Sequence, residues 1–246
     1  MYINWGSYDI ILLKRTKRLF LMYFRLFIMG AWVKKLVVNA VLRQPAKNGI
    51  LPVWDGNSKI LMLGSITATD GIRKGFYYAS ERNQLWQLLD CVLETDCFIG
   101  LKRQLKQNYD NYVCGKIDES EFEENRVKTR QMFAYELKKR KIAICDVFLE
   151  CYFNNNSSLD NDIILNNSQY PAVSNAETIR NIIQNSKIRY VVVNSRFVQK
   201  QFEKMKICGN FEVVYVVSPS PRKGSIESKL ASWKMAFDQI LDRNII

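Results

Sequence analysis

The 246-residue chain contains no histidine. This absence excludes hydrolases built on a Ser–His or Cys–His pair, and it excludes histidine as a metal ligand. The six cysteines form no C-x-x-C pair and show no zinc or iron–sulfur spacing. We therefore expect no metal, no iron–sulfur cluster and no cofactor. The reducing cytoplasm is the simplest location for such a chain. We also expect the protein to be a monomer.

Acidic residues are also scarce relative to basic ones. The chain has 36 Lys and Arg against 24 Asp and Glu, which gives a formal net charge of +12. Such an excess favours a polyanionic partner, and nucleic acid is the obvious one. A genome-wide bias toward lysine produces the same excess, so charge alone leaves both explanations open.

The first 45 residues differ in character from the rest. The stretch "KRTKRLFLMYFRLFIMG" places a basic cluster before an apolar run that Arg25 interrupts. This run is too short to cross a bilayer, although an interfacial helix in contact with a membrane is one interpretation. We favour the other interpretation, in which residues 1–45 are an extension and residues 46–246 form an α/β domain.

From residue 58 onward, strand and helix signals alternate. Four short runs are rich in branched residues: "KILMLGS" (59–65), "KIAICDV" (141–147), "RYVVVNS" (189–195) and "FEVVYVVS" (211–218). Continuous apolar runs are typical of parallel strands that are buried on both faces. Helical patterns lie between and after these runs, at about 83–94, 119–140, 174–186, 196–206 and 225–241. The alternation predicts a three-layer αβα fold with a central, mainly parallel four-stranded sheet.

In parallel α/β sheets, ligands bind at the carboxyl ends of the strands. Polar and aromatic groups follow each predicted strand at that edge: the segment 64–83, Asp146 and the residues after it, Asn194, and the loop "SPSPRKGS". The loop combines two prolines, two cations and the start of a helix, which suits a phosphate. A plain proline-rich connector is the alternative interpretation.

Several of these stretches together resemble the uracil-DNA glycosylase superfamily, with order and spacing most similar to its hypoxanthine- and mismatch-directed branches. The matching pieces are "ILMLGS", "GFYYASERNQLWQLL", "AICDVFLEC" with "SSLDNDI", and "VVSPSP" before a helix containing Trp233. The resemblance covers about residues 52–241. It implies a monofunctional DNA glycosylase that flips a deaminated base, such as uracil or hypoxanthine, from DNA and hydrolyses its N-glycosidic bond.

The resemblance also implies roles for particular residues. Asn83 matches the asparagine that positions the attacking water, and Tyr77 or Phe76 supplies a ring that stacks on the base. The implied base-binding residues are Gly64, Ser65, Ile66, Phe76, Tyr77 and Asp146. The implied DNA-binding residues are Arg82, Ser218, Ser220, Arg222 and Lys223. For Asn83 the alternative is a helix N-cap, for the aromatic pair it is the core, and for Asp146 it is a cap on a neighbouring loop.

The chain departs from the family pattern in two places. It reads Ser65-Ile66-Thr67 where the family has a proline after the glycine, and Ser80-Glu81 where the family has His-Pro. Two further hypotheses therefore stand beside the glycosylase. One is a catalytically inactive relative that binds DNA through the same groove, and the other is an α/β protein that binds a free nucleotide.

Overall fold

A computed structural model describes the backbone of residues 43–45, residues 50–152, Ile163, Leu165 and residues 172–241. The chain divides into two units, residues 1–43 and residues 44–246, and nearly all of the described residues belong to the second. The proposed extension apart from residues 43–45, its membrane contact and most of the stretch "SSLDNDI" lie outside the described residues. In the part that is described, no helix is both long enough and apolar enough to cross a membrane.

The centre of the domain is a four-stranded parallel sheet. Its strands are β2 (Ile60–Gly64), β3 (Ile142–Asp146), β6 (Tyr190–Val193) and β7 (Glu212–Tyr215). They lie in the order β3–β2–β6–β7, and every pair is parallel. All four predicted strands are present with bounds that differ by one to three residues, and the predicted fold class is confirmed.

Three of these strands are buried along their whole length, as their unbroken apolar runs predict. The fourth strand, β7, is partly exposed, so the prediction of burial on both faces is wrong for this strand. It lies at the edge of the sheet, and Val213 is exposed there. The other outer strand, β3, is covered because Val53 pairs with Ile144 in an antiparallel bridge.

A second, small sheet was not predicted from the sequence. It contains β1 (Arg43–Pro45), β4 (Phe148–Tyr152) and β5 (Val173–Ser174), in the order β1–β4–β5. Strand β4 begins two residues after β3 ends, and it pairs with β5 in the antiparallel sense. Its apolar run continues directly from that of β3, so the sequence does not show where one strand stops and the next begins.

Seven helices are described: α1 (Thr69–Lys74), α2 (Leu85–Val92), α3 (Cys97–Val113), α4 (Glu119–Lys139), α5 (Ala176–Gln184), α6 (Arg196–Lys204) and α7 (Ile226–Leu241). Five of them match predicted helices, whereas α1 and α3 were not predicted. Helix α3 begins where the carboxylate of Asp90 accepts hydrogen bonds from the backbone N–H groups of Phe98 and Ile99, at 3.1 and 2.7 Å. This tertiary cap connects α3 to the end of α2.

An aromatic cluster joins these helices into one core. The rings of Phe76 and Phe133 stack with centroids 4.5 Å apart, and Trp86 lies 4.7 Å from Phe133 and 5.4 Å from Phe98. Trp86 and Trp233 are both fully buried. The cluster fixes helix α2, and with it the segment that precedes α2, against helices α3 and α4.

Candidate active site

A cavity of about 400 Å³ opens at the carboxyl edge of the central sheet. The segments that follow β2, β6 and β7 line it. The lining residues are Ser65, Ile66, Thr67, Ala68, Gly71, Tyr78, Ser80, Arg82, Asn83, Asn194, Ser218, Pro219, Ser220, Pro221 and Arg222. The structure thus brings together three of the four segments that the sequence analysis placed at this edge.

Tyr78 is the aromatic residue of the cavity wall. Its hydroxyl accepts a hydrogen bond from Nδ2 of Asn194, which directly follows strand β6 and also lines the cavity. The backbone of Tyr78 has φ 51°, in the left-handed region that non-glycine residues seldom adopt. Such a conformation costs on the order of 1–3 kcal/mol and is concentrated at functional sites.

Phe76 and Tyr77 lie elsewhere, and their predicted stacking role needs correction. Both are 2% exposed and belong to the core, where Phe76 stacks on Phe133. Burial raises the pKa of Tyr77 well above its usual value, which reflects the same enclosure. A ring packed on all sides offers no face to a ligand, so neither side chain can stack on a base here.

Asn83 lines the cavity directly before helix α2. Its Oδ1 accepts a hydrogen bond from the backbone N–H of Leu85 at 2.9 Å. The bond spans two residues, as in an Asx turn, and lies just before the helix, whose N-cap position is Gln84. The amide therefore has a fixed orientation at the cavity wall, and both interpretations of Asn83 still apply.

Asp146 ends strand β3 beside the cavity but is not one of its lining residues. The carboxylate is buried, and its Oδ2 accepts a hydrogen bond from Oγ1 of Thr67 at 2.7 Å. Gly64 is also absent from the lining; it lies between Oδ1 of Asp146 and the hydroxyl of Tyr78. The base-facing role of Asp146 stays a prediction, and in this structure its carboxylate bonds to the loop after β2.

The loop after β7 forms the opposite wall. Ser218, Ser220 and Arg222 line the cavity, and Arg82 reaches it from the other side. Lys223 follows in a short 3-10 helix, is exposed and is not among the lining residues. Within the described lining there are two guanidinium groups and no carboxylate, so the cavity is suited to an anionic ligand.

Two buried lysines support these walls, and the sequence analysis missed both. Nζ of Lys102 on α3 donates to the backbone carbonyls of Glu81 at 2.9 Å and Asn83 at 2.6 Å. Nζ of Lys229 on α7 donates to the carbonyl of Ser220 at 2.7 Å and to the side-chain oxygen of Gln84. Burial lowers the pKa of both ammonium groups, in the case of Lys102 to about 8.

Within the ranges that the structure describes, no three Cys, Asp or Glu side chains lie close enough together to hold a metal ion. The chemistry available in the cavity is that of amide, hydroxyl, guanidinium and backbone groups.

No family model matches the chain. Over 101 residues it is 30% identical to a hypoxanthine DNA glycosylase of Methanosarcina barkeri, a match that covers 38% of this chain and 63% of that protein. The match therefore spans less than two thirds of the relative's length.

A solved structure shares the fold. It is the solution NMR structure of a candidate uracil DNA glycosylase from Methanosarcina acetivorans, with a TM-score of 0.51, 19% identity, and coverage of 80% of this chain and 98% of that one. At this identity the likeness concerns the fold alone. Together, the sequence match and the shared fold confirm the resemblance indicated by the motifs, and they relate this chain to the uracil-DNA glycosylase superfamily.

Gly64 provides a test of how tightly Tyr78 and Asp146 pack beside the cavity. A Cβ at this position would overlap the hydroxyl oxygen of Tyr78 and lie 2.5 Å from Oδ1 of Asp146. We predict that Gly64→Ala lowers the free energy of unfolding by about 1–3 kcal/mol, as overpacking does. Adding Tyr78→Phe should recover part of this loss, because it removes the overlapping hydroxyl.

Gly100 is the matched control, since a Cβ there meets nothing within 4 Å. It lies inside helix α3, so Gly100→Ala should stabilise the protein by about 0.5–1 kcal/mol. Urea unfolding of the wild type and the three variants measures these differences. Equal stability of Gly64→Ala and Gly100→Ala would contradict the close packing described around Gly64.

Proposed function

We propose that this protein is a DNA glycosylase that hydrolyses the N-glycosidic bond of a deaminated base, such as uracil or hypoxanthine, after flipping the nucleotide into the cavity. The observation that carries the proposal is the composition of the cavity. Tyr78, Asn83 and two arginines meet there, and they come from the segments that carry the family resemblance. The relative from Methanosarcina barkeri, named as a hypoxanthine DNA glycosylase, supports the same chemistry.

The reaction places modest demands on its catalytic groups. Cleavage of a sugar–base bond builds positive charge on the sugar and negative charge on the departing base. We assign to Asn83 the orientation of the attacking water. A carboxamide oxygen can accept two hydrogen bonds, so the bond from Leu85 fixes the side chain and leaves the second acceptor direction for water.

The departing base needs a surface for stacking and donors for its developing charge. We assign the stacking surface to Tyr78, which lines the cavity where Phe76 and Tyr77 do not. The backbone N–H groups of Ser65 and Ile66, on the same wall, are assigned to the base oxygen. Such donors suit a chain without histidine, because their protonation does not depend on pH.

The DNA backbone is assigned to the two basic walls. Arg82 and Arg222 flank the cavity, and Ser218, Ser220 and Lys223 belong to the same loop as Arg222. Serine hydroxyls and guanidinium groups are common phosphate partners that fix the register of a duplex without reading its sequence. Their placement around one opening allows a phosphate on either side of a flipped nucleotide.

A catalytically inactive DNA-binding protein is the second candidate. The observation that favours it is the bond between Leu85 and Asn83, since this bond gives Asn83 a sufficient structural role. The absence of a histidine that can polarise the leaving base points the same way. Binding would then depend on the same arginines, with no cleavage.

A panel of labelled duplexes distinguishes these candidates. Each duplex carries one uracil, hypoxanthine, xanthine or mismatched base, and alkali converts an abasic product into a strand break. Cleavage at one of these sites supports the glycosylase. Salt-dependent binding without cleavage supports the inactive DNA-binding protein. Binding of free nucleotide but not of duplex would support a nucleotide-binding protein instead.

The role of Asn83 can be separated from its cap. We predict that Asn83→Ala loses on the order of a hundredfold in the single-turnover cleavage rate, the scale of one positioned general-base or oxyanion contact. Asn83→Asp keeps an acceptor and should retain more activity. A residue that acts only as a cap gives another pattern: Ala costs about 1 kcal/mol of stability, Asp restores it, and the rate per folded molecule does not change.

Both quantities should be measured on both variants, the rate with excess enzyme and the stability by thermal unfolding. Lesion DNA should bind the Ala variant with nearly normal affinity, which excludes a defect in the first encounter. A cleavage rate unchanged in Asn83→Ala would end the catalytic assignment.

Arg222 and Lys223 are predicted to hold phosphates. Replacing both with Ala should weaken binding to all duplexes alike and reduce the salt dependence of binding by up to about two contacts. The matched control replaces Lys138 and Lys139, an exposed pair before the start of β3, at the opposite edge of the sheet. A loss of affinity confined to one lesion, or an equal loss in the control, would refute the assignment.

A further inference from the structure

Lys102 makes an uncommon contact for a buried lysine. Its side chain is enclosed, with the residue 8% exposed, and its ammonium group donates to the carbonyls of Glu81 and Asn83. These two carbonyls flank Arg82, and both Arg82 and Asn83 line the cavity. The ammonium group therefore holds the backbone of the segment that presents two of the proposed functional side chains.

The position of Lys102 on its helix suggests that this contact is not incidental. The neighbours on the buried face of α3 are apolar: Phe98, Leu101 and Leu105. An ammonium group loses its hydration there, whereas a methionine or leucine would be buried without that cost. Hydrogen bonds from a charged donor are stronger than neutral ones, and here they go to two carbonyls of one short segment.

We propose that Lys102 is a positioning residue, which holds the Glu81–Asn83 backbone so that the side chain of Asn83 faces the reacting centre. The inference rests on the proposed glycosylase function for its catalytic consequence. Lys102 itself touches backbone oxygens and is not one of the lining residues. Lys102 acts through Asn83: by holding the backbone, it fixes the position of the Asn83 amide relative to the reacting centre.

The charges around Lys102 make this support dependent on pH. Burial, and then the charge of Lys74, lower the pKa of Lys102 to about 8, while Glu81 and Asp70 oppose the shift. Lys74 pairs with Asp70, and Lys106 pairs with Glu81, each at 3.2 Å. Below pH 8 the ammonium form makes charge-assisted bonds, and above pH 8 a weaker neutral donor remains.

Rate and stability should respond to this titration in opposite directions. The pKa of Lys102 in the folded protein lies below its ordinary value of 10.5. Between pH 8 and pH 10.5 the unfolded chain therefore binds more protons at this site than the folded one, and the contribution of Lys102 to stability rises with pH. Deprotonation of Lys102 should therefore lower the cleavage rate without lowering the free energy of unfolding. A lysine with a purely structural role would not change the rate in this way.

The first experiment compares Lys102→Met with Lys106→Met in the full chain. Lys106 lies one turn further along α3, carries the same charge and binds only carboxylates, so it controls for loss of charge near DNA. At pH 7 and saturating lesion duplex, Lys102→Met should lower the single-turnover rate by about ten- to a hundredfold, the scale of a small misplacement. Lys106→Met should leave it unchanged.

Hydrogen exchange supplies a readout that needs no activity. The amide N–H groups of Asn83, Gln84 and Leu85 bond to Ser80, Pro219 and the Asn83 side chain. They should exchange faster in Lys102→Met than in wild type or in Lys106→Met. Unchanged exchange at these amides would overturn the inference, as would a lowered melting temperature with an unchanged rate per folded molecule.

The pH dependence completes the test and does not require Lys102→Met to fold. The wild-type rate should fall above about pH 8, and Lys102→Arg, which stays protonated, should lose that decline while keeping activity at pH 7. A decline that persists in Lys102→Arg contradicts the inference. If wild type cleaves no duplex at any pH, the proposed function fails, and the exchange comparison alone decides whether Lys102 holds the segment.

Discussion

Buried backbone carbonyls must find hydrogen-bond donors, and this requirement determines how the helices hold the segments around the cavity. Some carbonyls in the segments after β2 and β7 accept from backbone N–H groups, as Ser65 does from Phe148, whereas others depend on side chains. Helix side chains supply the donors. Four such N–H donors are described: Nε1 of Trp86 to Tyr77 at 3.0 Å, Nε1 of Trp233 to Val217 at 2.9 Å, and the ammonium groups of Lys102 and Lys229. These donors lie on α2, α3 and α7, and they connect the segments beside the cavity to the helices that pack against them.

The two walls are also joined to each other. The backbone N–H of Gln84 donates to the carbonyl of Pro219 at 3.0 Å, and Lys229 bridges the Gln84 side chain and Ser220. These hydrogen bonds therefore join the segment that presents Asn83 to the loop that presents Arg222. Under the proposed function, such a connection would reduce the reorganisation that the site needs during the reaction.

The sequence predicts the central sheet well because burial on both faces leaves an unbroken apolar run, a pattern that few other elements share. The sequence does not predict the limits of two elements that share one apolar run, as β3 and β4 do. It also does not predict where a turn reverses the direction of a side chain. The three adjacent aromatics show the second case. Phe76 and Tyr77 enter the core, and the left-handed backbone of Tyr78 turns the next ring to the cavity. Nothing in three similar side chains reveals which one carries that φ value.

The sequence does contain a pattern that indicates burial of the two lysines. Lys102 lies four residues after Phe98 and three before Leu105, and Lys229 lies four before Trp233, so both occupy the apolar face of their helices. A lysine on such a face must either extend to water or find acceptors inside. The side chains of both lysines end near a loop at the carboxyl edge of the sheet, where backbone carbonyls accept their hydrogen bonds. In a chain without histidine, the ammonium groups of Lys102 and Lys229 hold the backbone beside the cavity. Under the proposed function, catalysis would depend on how firmly they hold the segment that carries the amide of Asn83.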